Sequence, residues 1–547
     1  MANYTMRADG TAANKAAAVD GDPAVVAECM NVSVHNGETF SAGDVIMLAD
    51  TGGDYRSTLY FRSHGTSGNR IVYEAYSGDT PVINGSDLVV AWSDEGDDIW
   101  SATLTTEPQQ VWMDGTFGDR QEDLISCVNE YDWFWESNVL YVFAASDPDA
   151  RYASPGVEAD QRQFGINTES YNYTDIDGIT VVKCNQWNLY AKNSSNITIK
   201  NCITEWGWLY GILQWQQTTD TTNVIIEDNI ARYCGQGGIG VSAIQTSSLT
   251  NCITRRNKAY ENGRHQWHDP YWTANHTYTG GIKVYADHKA CTGVEISENE
   301  CYTNGPNIAA ATTSQRGNGI WVDEFLGIDG DPVIVKHNIC YDNWGSGIFL
   351  ENSSWNVVFG NVIYDCAFGS DESNPFSSGG IKCMSRNTFV SSNNVIANNT
   401  IYDCFIGIQA ATYLESAGCE YDDNTFKNNI CDGCTIALRT EDGAANDTWG
   451  TGNVYENNCF GAEASGFLEW DTVAYSTYAA FKTAHGESWD QVGGDPLLTD
   501  PGNGDLTLTS GSPCIGAGTN LGSPFNEVLM PSSIWPDGVV TGDQDDY

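Results

Sequence analysis

The amino-acid sequence predicts an all-β fold: a right-handed parallel β-helix, or solenoid, with a small antiparallel β-sandwich-like insert near the N-terminus. Three observations predict it. An Asn motif recurs through the middle of the chain, its closest copies are 23 residues apart, and a Gly-Ile motif recurs on strands that follow it. Repeats at such intervals are typical of folds in which one small unit stacks on the next. Hydrophobic residues make up 41% of the 547 residues, so a large core can be buried.

The Asn motif is an Asn followed, five positions later, by Asn or Cys. Its first positions are Asn229, Asn257, Asn299, Asn338, Asn361, Asn399 and Asn429, and the later positions are Cys234, Asn262, Asn304, Asn343, Cys366, Cys404 and Cys434. Intervals of 23 to 42 residues fit one β-helix coil plus loops of variable length. Leucine-rich repeats are excluded because their Leu frame is absent, and propellers repeat at longer, steadier intervals. We expect these Asn and Cys side chains to form packing ladders outside the active site.

Changes in pattern divide the chain into four segments. Residues 1–90 carry apolar runs such as Val45–Leu48 and predict an N-terminal cap and the first coils. Residues 91–153 hold five Trp among alternating strands without the Asn motif, and predict the antiparallel insert. Residues 154–460 are predicted to form the main β-helix with the catalytic groove. Residues 461–547, where the Asn motif stops, predict the last coils and a capping tail.

The chain is strongly acidic, with 72 Asp and Glu residues against 25 Lys and Arg residues and a formal net charge of −47. A nucleic-acid partner is excluded, because phosphate contacts need clustered Lys and Arg. A polyanionic glycan would need local cations or bound Ca²⁺ to offset this charge, so a neutral glycan is the easier ligand. We therefore expect a carbohydrate substrate.

The spacing of the cysteines and the sequence of the N-terminus give expectations about where the protein is located. The 17 Cys are spread singly, mostly within apolar runs, so we expect reduced Cys in the core. The sequence has no stretch long enough to span a membrane, and we expect no membrane partner. No signal peptide is visible in Met1–Gly10. We expect an extracellular or virion-associated protein, and the sequence leaves monomer and homo-oligomer open.

The Gly-Ile motif fixes the phase of four strands. The copies are Gly281–Tyr285, Gly319–Asp323, Gly347–Glu351 and Gly380–Met384. In each copy the Ile and the residue two later are apolar and face the core, so the other two positions face outward. One outward row is Lys283, Trp321, Phe349 and Lys382, and the other is Tyr285, Asp323, Glu351 and Met384.

Asp323 and Glu351 occupy the same position on neighbouring coils. Strands in a sheet lie about 4.8 Å apart, so we expect about 5 Å between the two carboxyl groups. A retaining glycosidase needs about 5–5.5 Å, with one carboxylate attacking the anomeric carbon and the other protonating the leaving oxygen. Mutual repulsion would raise the pKa of one of them and supply the acid. The alternatives are a Ca²⁺ site and a solvated pair without a special role, and Glu324 is the weaker catalytic candidate.

Aromatic and polar side chains near this pair are candidates for substrate binding, because sugar rings stack on aromatic faces while polar groups fix their hydroxyls. The candidates are Lys283, Tyr285, Trp321, Lys382 and Arg386 on the strand face, and His265, Trp267, His268 and Trp272 on the loop before it. Trp206, Trp208, Tyr210 and Trp215, on an earlier coil, would extend the groove. No metal-ligand spacing of the zinc type occurs, and the Gly-rich runs are turns, not phosphate loops.

The stretch that joins Gly281–Lys283, Gly319–Asp323 and Gly347–Ser353 resembles the β-helical β-xylosidase family of glycoside hydrolases, and more loosely the wider right-handed β-helix hydrolases and lyases. The specific likeness covers about 75 residues, and the general β-helix likeness covers most of the chain. The resemblance implies that Asp323 is the nucleophile, that Glu351 is the acid/base, and that a β-sandwich is inserted into the early helix. The insertion 325–332 and the run Asn352–Trp355 depart from the family, so its xylose specificity is not carried over.

A polysaccharide lyase is the main alternative function. It needs a base, often Lys or Arg, near a uronate carboxylate that Ca²⁺ or a cation neutralises. Lys283, Lys382 and Arg386 could supply this chemistry, while the scarcity of other cations weighs against it. A non-catalytic or tailspike-like glycan-binding β-helix is the second alternative. The sequence predicts a retaining glycoside hydrolase for a plant or algal type poly- or oligosaccharide, with no cofactor required and Ca²⁺ left open.

Overall fold

A computed structural model describes residues 1–218, 220–263, 278–305, 316–366, 379–386, 389–412, 419–441, 451–470, 473–485, 491–525, 527–529 and 539–541. The chain is all-β, as predicted, and divides into two compact units. The first unit comprises residues 1–215, 229–239 and 263–277, and the second comprises residues 216–228, 240–262 and 278–547.

The first unit contains three parallel sheets, which the chain visits in the same order from Ile71–Ala75 onward. One sheet comprises Asn3–Met6, Val45–Leu48, Ile71–Ala75, Thr174–Asp177 and Ile197–Lys200. The second comprises Val82–Asn84, Thr180–Val182, Ile203–Glu205 and Ile230–Arg232. The third comprises Leu59–Tyr60, Phe164–Asn167, Trp187–Lys192 and Tyr210–Gln216. This arrangement is the predicted parallel β-helix.

Two further sheets of mainly antiparallel strands lie within residues 86–160, a range wider at both ends than the 91–153 predicted for the insert. One comprises Ser86–Val89, Val111–Met113, Thr116–Phe117 and Val157–Asp160. The other comprises Ser93–Gly96, Ile99–Thr103, Asp119–Arg120, Asp132–Glu136 and Val139–Phe143. Met113 of the first sheet and Trp133 of the second belong to one buried core, so the two sheets pack against each other.

The second unit repeats the three-sheet pattern over more coils. One sheet comprises Thr221–Glu227, Leu249–Arg255, Glu295–Ser297, Val333–Lys336, Asn356–Phe359, Val395–Ala397, Thr425–Lys427 and Val454–Glu456. The second comprises Lys258–Tyr260, Glu300–Tyr302, Ile339–Tyr341, Val362–Tyr364, Thr400–Tyr402 and Ile430–Asp432. The third comprises Tyr278–Ala290, Arg316–Leu326, Ile348–Glu351, Ile381–Ser385, Ile406–Thr412, Ile436–Glu441 and Leu468–Trp470, and ends in the antiparallel strand Val473–Tyr475.

Four helices of the 3₁₀ type and three short α-helices complete the described secondary structure, with a few strands outside the main sheets. The 3₁₀-helices are Lys15–Ala18, Val26–Glu28, Leu124–Ser126 and Pro501–Asn503, and the α-helices are Val32–Gly37, Pro148–Arg151 and Tyr478–His485. The strands outside the main sheets are Val390–Ser392, Glu420–Asp422, Leu498–Asp500, Asp505–Leu508, Glu527–Leu529 and Val539–Thr541. Gly237–Ala243 belongs to a main sheet and has residues in both units. Within the described residues, no helix is long and apolar enough to cross a membrane.

Buried Asn side chains connect consecutive coils of the second unit. In the longest ladder the Nδ2 of each Asn donates to the Oδ1 of the next, through Asn257, Asn299, Asn338, Asn361, Asn399, Asn429 and Asn458. Each buried amide also needs a second acceptor, and Asn338 Nδ2 donates to the Ile296 carbonyl at 3.0 Å. Gln491 Oε1 accepts the last bond of the ladder, from Asn458. The predicted packing role of the Asn motif is confirmed.

The cysteines are part of the packing as well. All 17 are free thiols, and all except Cys434 are buried. Cys301 and Cys340 lie at matching positions on neighbouring strands. The predicted reduced core Cys are confirmed.

Candidate active site

Four neighbouring strands of the second unit carry the candidate site. They are named here the Lys283 strand (Tyr278–Ala290), the Asp323 strand (Arg316–Leu326), the Glu351 strand (Ile348–Glu351) and the Lys382 strand (Ile381–Ser385). Their register is the predicted one, with Tyr285 opposite Asp323 and Asp323 opposite Glu351. The motif Ile residues are fully buried, as expected for the inward position. The two carboxylates therefore project from directly opposed positions on adjacent strands.

The motif Gly residues are required by the close approach of the neighbouring coil. A Cβ on Gly319 would lie 2.6 Å from the carbonyl oxygen of Gly347, and a Cβ on Gly347 would lie 2.4 Å from Cγ2 of Ile363. Neither position has room for a methyl group. Because Asp323 and Glu351 each follow such a Gly by four residues, the same packing that excludes a side chain keeps the two carboxylates in register.

Lys283 holds the Asp323 carboxylate. Its Nζ lies 2.8 Å from Asp323 Oδ2 and 3.7 Å from the centroid of the Trp321 ring, so the ammonium group contacts both a carboxylate and an aromatic face. The Lys283 side chain is 16% exposed and the Asp323 side chain 8%, so water screens the pair only weakly. Among the described residues, Asp323 Oδ1 has no hydrogen-bond partner. One oxygen of this carboxylate is therefore held by Lys283, and the other is buried without a hydrogen bond from the described residues.

Glu351 is paired with Arg386. Arg386 Nε lies 2.5 Å from Glu351 Oε1, and the Glu351 side chain is 0% exposed against 20% for Arg386. The next two residues fix the end of the Glu351 strand. Asn352, in the left-handed region at φ +48°, accepts a hydrogen bond from the Arg386 backbone N–H at 2.7 Å. Ser353 Oγ donates to the Glu351 carbonyl at 2.7 Å. Glu351 and Arg386 are therefore linked through the backbone as well as by charge.

A bulge in the Lys283 strand places His288 beside Glu324. The register with the Asp323 strand shifts between Tyr285 and Lys289, and His288 lies in this bulge. His288 Nε2 lies 3.6 Å from Glu324 Oε2, and its ring stacks on Phe389 with a centroid separation of 4.8 Å. Burial and the negative charge of Glu324 raise the pKa of Tyr285 above its usual range. His288 and Phe389 escape sequence reasoning because the bulge interrupts the period-two pattern.

The row of Lys283, Trp321, Phe349 and Lys382 lies outside the β-helix interior, yet most of it is buried. Trp321, Phe349 and Met384 form one buried cluster, in which the Trp321 and Phe349 rings stack at 5.7 Å. Lys382 is also fully buried, with its Nζ 5.6 Å from the Phe349 centroid. The row faces outward from the β-helix interior, as predicted, but it is buried because the large side chains on adjacent coils pack on one another. Trp321 lies between Lys283 and Phe349, where it supports the Lys283–Asp323 ion pair.

The remaining predicted contacts divide into three groups. Tyr285 and Arg386 lie beside the carboxylates and are partly exposed. His265, Trp267, His268 and Trp272 lie outside the described residues, so their substrate-binding role stays a prediction. The earlier-coil aromatics Trp206, Trp208, Tyr210 and Trp215 belong to the first unit.

The described residues contain no group of three or more His, Cys, Asp and Glu side chains that could hold a metal ion. The described site instead consists of two opposed carboxylates, each in contact with one cation. Such a pair can provide a charged nucleophile and a proton carrier at adjacent positions.

Comparisons with known proteins identify the fold. The family model described as a right-handed β-helix region matches residues 154–275 and 271–460, more than half of the chain. The solved complex of XylC with xylose is 15% identical with a TM-score of 0.61, over 91% of this chain and 87% of that chain. A structure named only as a glycoside hydrolase is 9% identical with a TM-score of 0.48, over 84% of this chain and 96% of that chain. Pectate lyase Pel9A is 13% identical with a TM-score of 0.34, over 95% of this chain and 92% of that chain. No curated protein matches the chain in sequence.

Proposed function

The chain belongs to the family of right-handed β-helix proteins, and from that premise we propose that it is a carbohydrate-active enzyme, a retaining glycoside hydrolase for a neutral poly- or oligosaccharide. The observation that carries the proposal is the opposition of Asp323 and Glu351 on adjacent strands, each with its own cation. A strand spacing of about 4.8 Å agrees with the carboxylate separation of about 5–5.5 Å that retention needs, and is too short for the about 6.5–9.5 Å of inversion.

Asp323 is the proposed nucleophile. Lys283 binds Oδ2 and stabilises its negative charge, while Oδ1 attacks the anomeric carbon. The bond from Oδ1 to the anomeric carbon forms as the glycosidic C–O bond breaks, which leaves a glycosyl ester on the enzyme. Because Lys283 is itself held against Trp321, the nucleophile is positioned before substrate binds.

Glu351 is the proposed acid/base. It gives a proton to the leaving glycosidic oxygen in the first step and takes a proton from water in the second, as that water attacks the anomeric carbon and releases Asp323. Between the two steps Glu351 is negatively charged in a buried position. Arg386, 2.5 Å away, stabilises that charge.

A neutral substrate follows from how the cations are used. A lyase must neutralise the uronate carboxylate and keep a free base, but Lys283 and Arg386 are each already bound to a carboxylate of the protein. A uronate would have to compete with Asp323 and Glu351 in a chain of net charge −47. A neutral sugar does not compete for either cation. The structurally similar XylC was solved with xylose, which is a neutral sugar.

A glycan panel tests the proposal. Neutral xylans, arabinans and galactans, together with pectate and alginate, would be followed for reducing ends and for the ultraviolet absorbance of unsaturated products. We expect new reducing ends from a neutral glycan without new absorbance, and their loss in Asp323→Asn. The control is Glu456→Gln, which removes a carboxylate paired with Lys427 at 3.0 Å on a different sheet and should keep full activity.

Two other outcomes would refute the proposal, and each would indicate a different function. Ultraviolet absorbance produced from pectate or alginate and lost in the presence of a chelator would indicate the Ca²⁺-dependent lyase. Binding to a glycan without cleavage, equal in wild type and Asp323→Asn, would indicate the non-catalytic glycan-binding protein.

A further inference from the structure

A segment that follows the last coil of the second unit extends its ladders by one step. Residues 491–525 are named here the C-terminal strap. The strap begins as one more coil, because Gln491 Oε1 accepts a hydrogen bond from Asn458 and Val492 forms a β-bridge with Cys459. The first residues of the strap are therefore fixed to the end of the β-helix.

The rest of the strap runs back along turns that the chain formed earlier. Three Asn residues at turns with positive φ bind it, and they are met in reverse order. The hydrogen bonds join Asn457 to Ala517, Asn428 to Thr519 and Asn398 to Phe525. The Phe525 ring then packs edge-on against Phe359 at 5.3 Å. The strap thus packs along several coils and is held there by a few polar contacts and one aromatic contact.

Two cysteines meet where the strap crosses the last coil. Cys459 of that coil and Cys514 of the strap are both fully buried and pack together with Ile430. The two thiols lie close enough to shift each other's pKa, which is raised for Cys459 and lowered for Cys514. Cys459 Sγ also donates to the carbonyl of Gly494, at 3.4 Å, so its side chain is directed at the strap.

We propose that Cys459 and Cys514 are a disulfide-forming pair, oxidised by a low-molecular-weight disulfide, and that the bond ties the C-terminal strap to the last coil. The site is independent of the catalytic proposal, since neither cysteine lies on the four strands of the candidate active site. The bond would join residues about 55 positions apart in the sequence, and a cross-link of that span restricts the unfolded chain strongly.

The chemistry proceeds in two exchanges. The Cys514 thiolate attacks one sulfur of oxidised glutathione and expels one glutathione thiolate, which gives a mixed disulfide. Cys459, after losing its proton, attacks the Cys514 sulfur and expels the second glutathione. Two cysteine thiols are oxidised and one glutathione disulfide is reduced to two thiols. The hydrogen bond from Cys459 lowers the pKa of Cys514, which favours Cys514 as the first attacker.

Other touching cysteines lack this arrangement. Cys301 and Cys340 are register partners on neighbouring strands, and Cys366 and Cys404 are also in contact. Each of these pairs joins coils that the Asn ladders and the sheets already hold together. Cys514 instead lies on the C-terminal strap, which a few polar contacts and one aromatic contact hold to the coils, so local opening exposes its thiol more easily.

Peptide mapping tests the pair without any variant. Trypsin cleaves after Arg439 and Lys482, and the fragments 440–482 and 483–547 each hold a single cysteine, Cys459 and Cys514 respectively. The full chain would be incubated with oxidised glutathione, alkylated, digested without reductant and analysed by mass spectrometry. We expect these two fragments to be joined, and the free thiols to fall by two from 17.

The controls separate the pair from general oxidation. Cys514→Ser should lose the joined fragment and keep 16 free thiols, one fewer than the 17 of the wild type, whereas Cys404→Ser should still form it. Alkylation of both cysteines in the oxidised wild type would overturn the proposal. A glutathione adduct on Cys514 that does not convert to the joined fragment would overturn it as well, because the two sulfurs would then not meet.

Discussion

Lys283→Met removes the cation that neutralises Asp323. The carboxylate left behind is only 8% exposed, so water cannot replace the lost ammonium group effectively. Combining Lys283→Met with Asp323→Asn removes both charges and keeps the shape of the site. We therefore expect the double variant to be more stable than Lys283→Met alone, although it carries one more substitution.

The size of the effect follows from the 2.8 Å separation of Lys283 Nζ and Asp323 Oδ2. At an effective dielectric constant of about 20, two charges at that distance attract by about 6 kcal/mol. Dehydration of the groups offsets part of this, and breaking a buried pair from one side costs about 3–5 kcal/mol. Unfolding entropy of about 2.1 cal/mol/K per residue gives about 1.1 kcal/mol/K for 547 residues. Lys283→Met should lower the thermal midpoint by about 3–4 °C when the chain unfolds as one cooperative unit.

The test is a double-mutant cycle, in which the thermal midpoints of the wild type, both single variants and the double variant are measured at pH 7. The double variant should recover most of the loss seen in Lys283→Met. A Lys283→Met midpoint equal to that of the wild type would refute the reasoning, because the pair would then be screened by water. A double variant less stable than Lys283→Met would refute it too, because the cost would then come from packing and not from an unpaired charge.

Three further predictions address the acid/base, the ladder and a buried carboxyl group. Glu351→Ala should lose activity on unactivated glycosides, and azide should restore turnover of an activated aryl glycoside; a failure of azide to do so would contradict the acid/base role. Asn338→Ala should lower the thermal midpoint far more than the exposed control Asn69→Ala, because each buried ladder partner left unsatisfied costs about 1–3 kcal/mol. Burial raises the pKa of Asp160 from 3.8 to about 7, so its contribution to stability is fully present below pH 3.8 and is lost as the pH rises through 7. The thermal midpoint of the wild type should therefore fall relative to that of Asp160→Asn between pH 4 and 8, and a constant difference would contradict this.

The register of the catalytic strands could be predicted from the sequence because the period of a strand is two. Sliding the Asp323 strand by one residue would turn Ile320 outward and Trp321 inward, and a buried sheet resists that strongly. The Gly that precedes each Ile anchors the alignment further, because the neighbouring coil leaves it no room for a Cβ. The fold and the opposition of Asp323 and Glu351 therefore follow from local pattern alone.

The partners of the two carboxylates could not be predicted in the same way. The contact of Arg386 with Glu351 depends on the turn after the Lys382 strand, which Asn352 fixes from the preceding coil. His288 reaches Glu324 only because a bulge changes the register, and no alternation of the sequence marks that bulge. The burial of Trp321 depends on stacking between coils. These features arise from tertiary packing, which a single strand pattern does not encode.

The anomeric configuration of the first-formed product tests the central claim most directly. A neutral glycan that the enzyme cleaves would be followed by proton NMR from the start of the reaction, before mutarotation mixes the anomers. The opposition of Asp323 and Glu351 on adjacent strands predicts a product with the same anomeric configuration as the substrate. A product of opposite configuration would contradict the nucleophilic role of Asp323, and an unsaturated product would contradict hydrolysis itself.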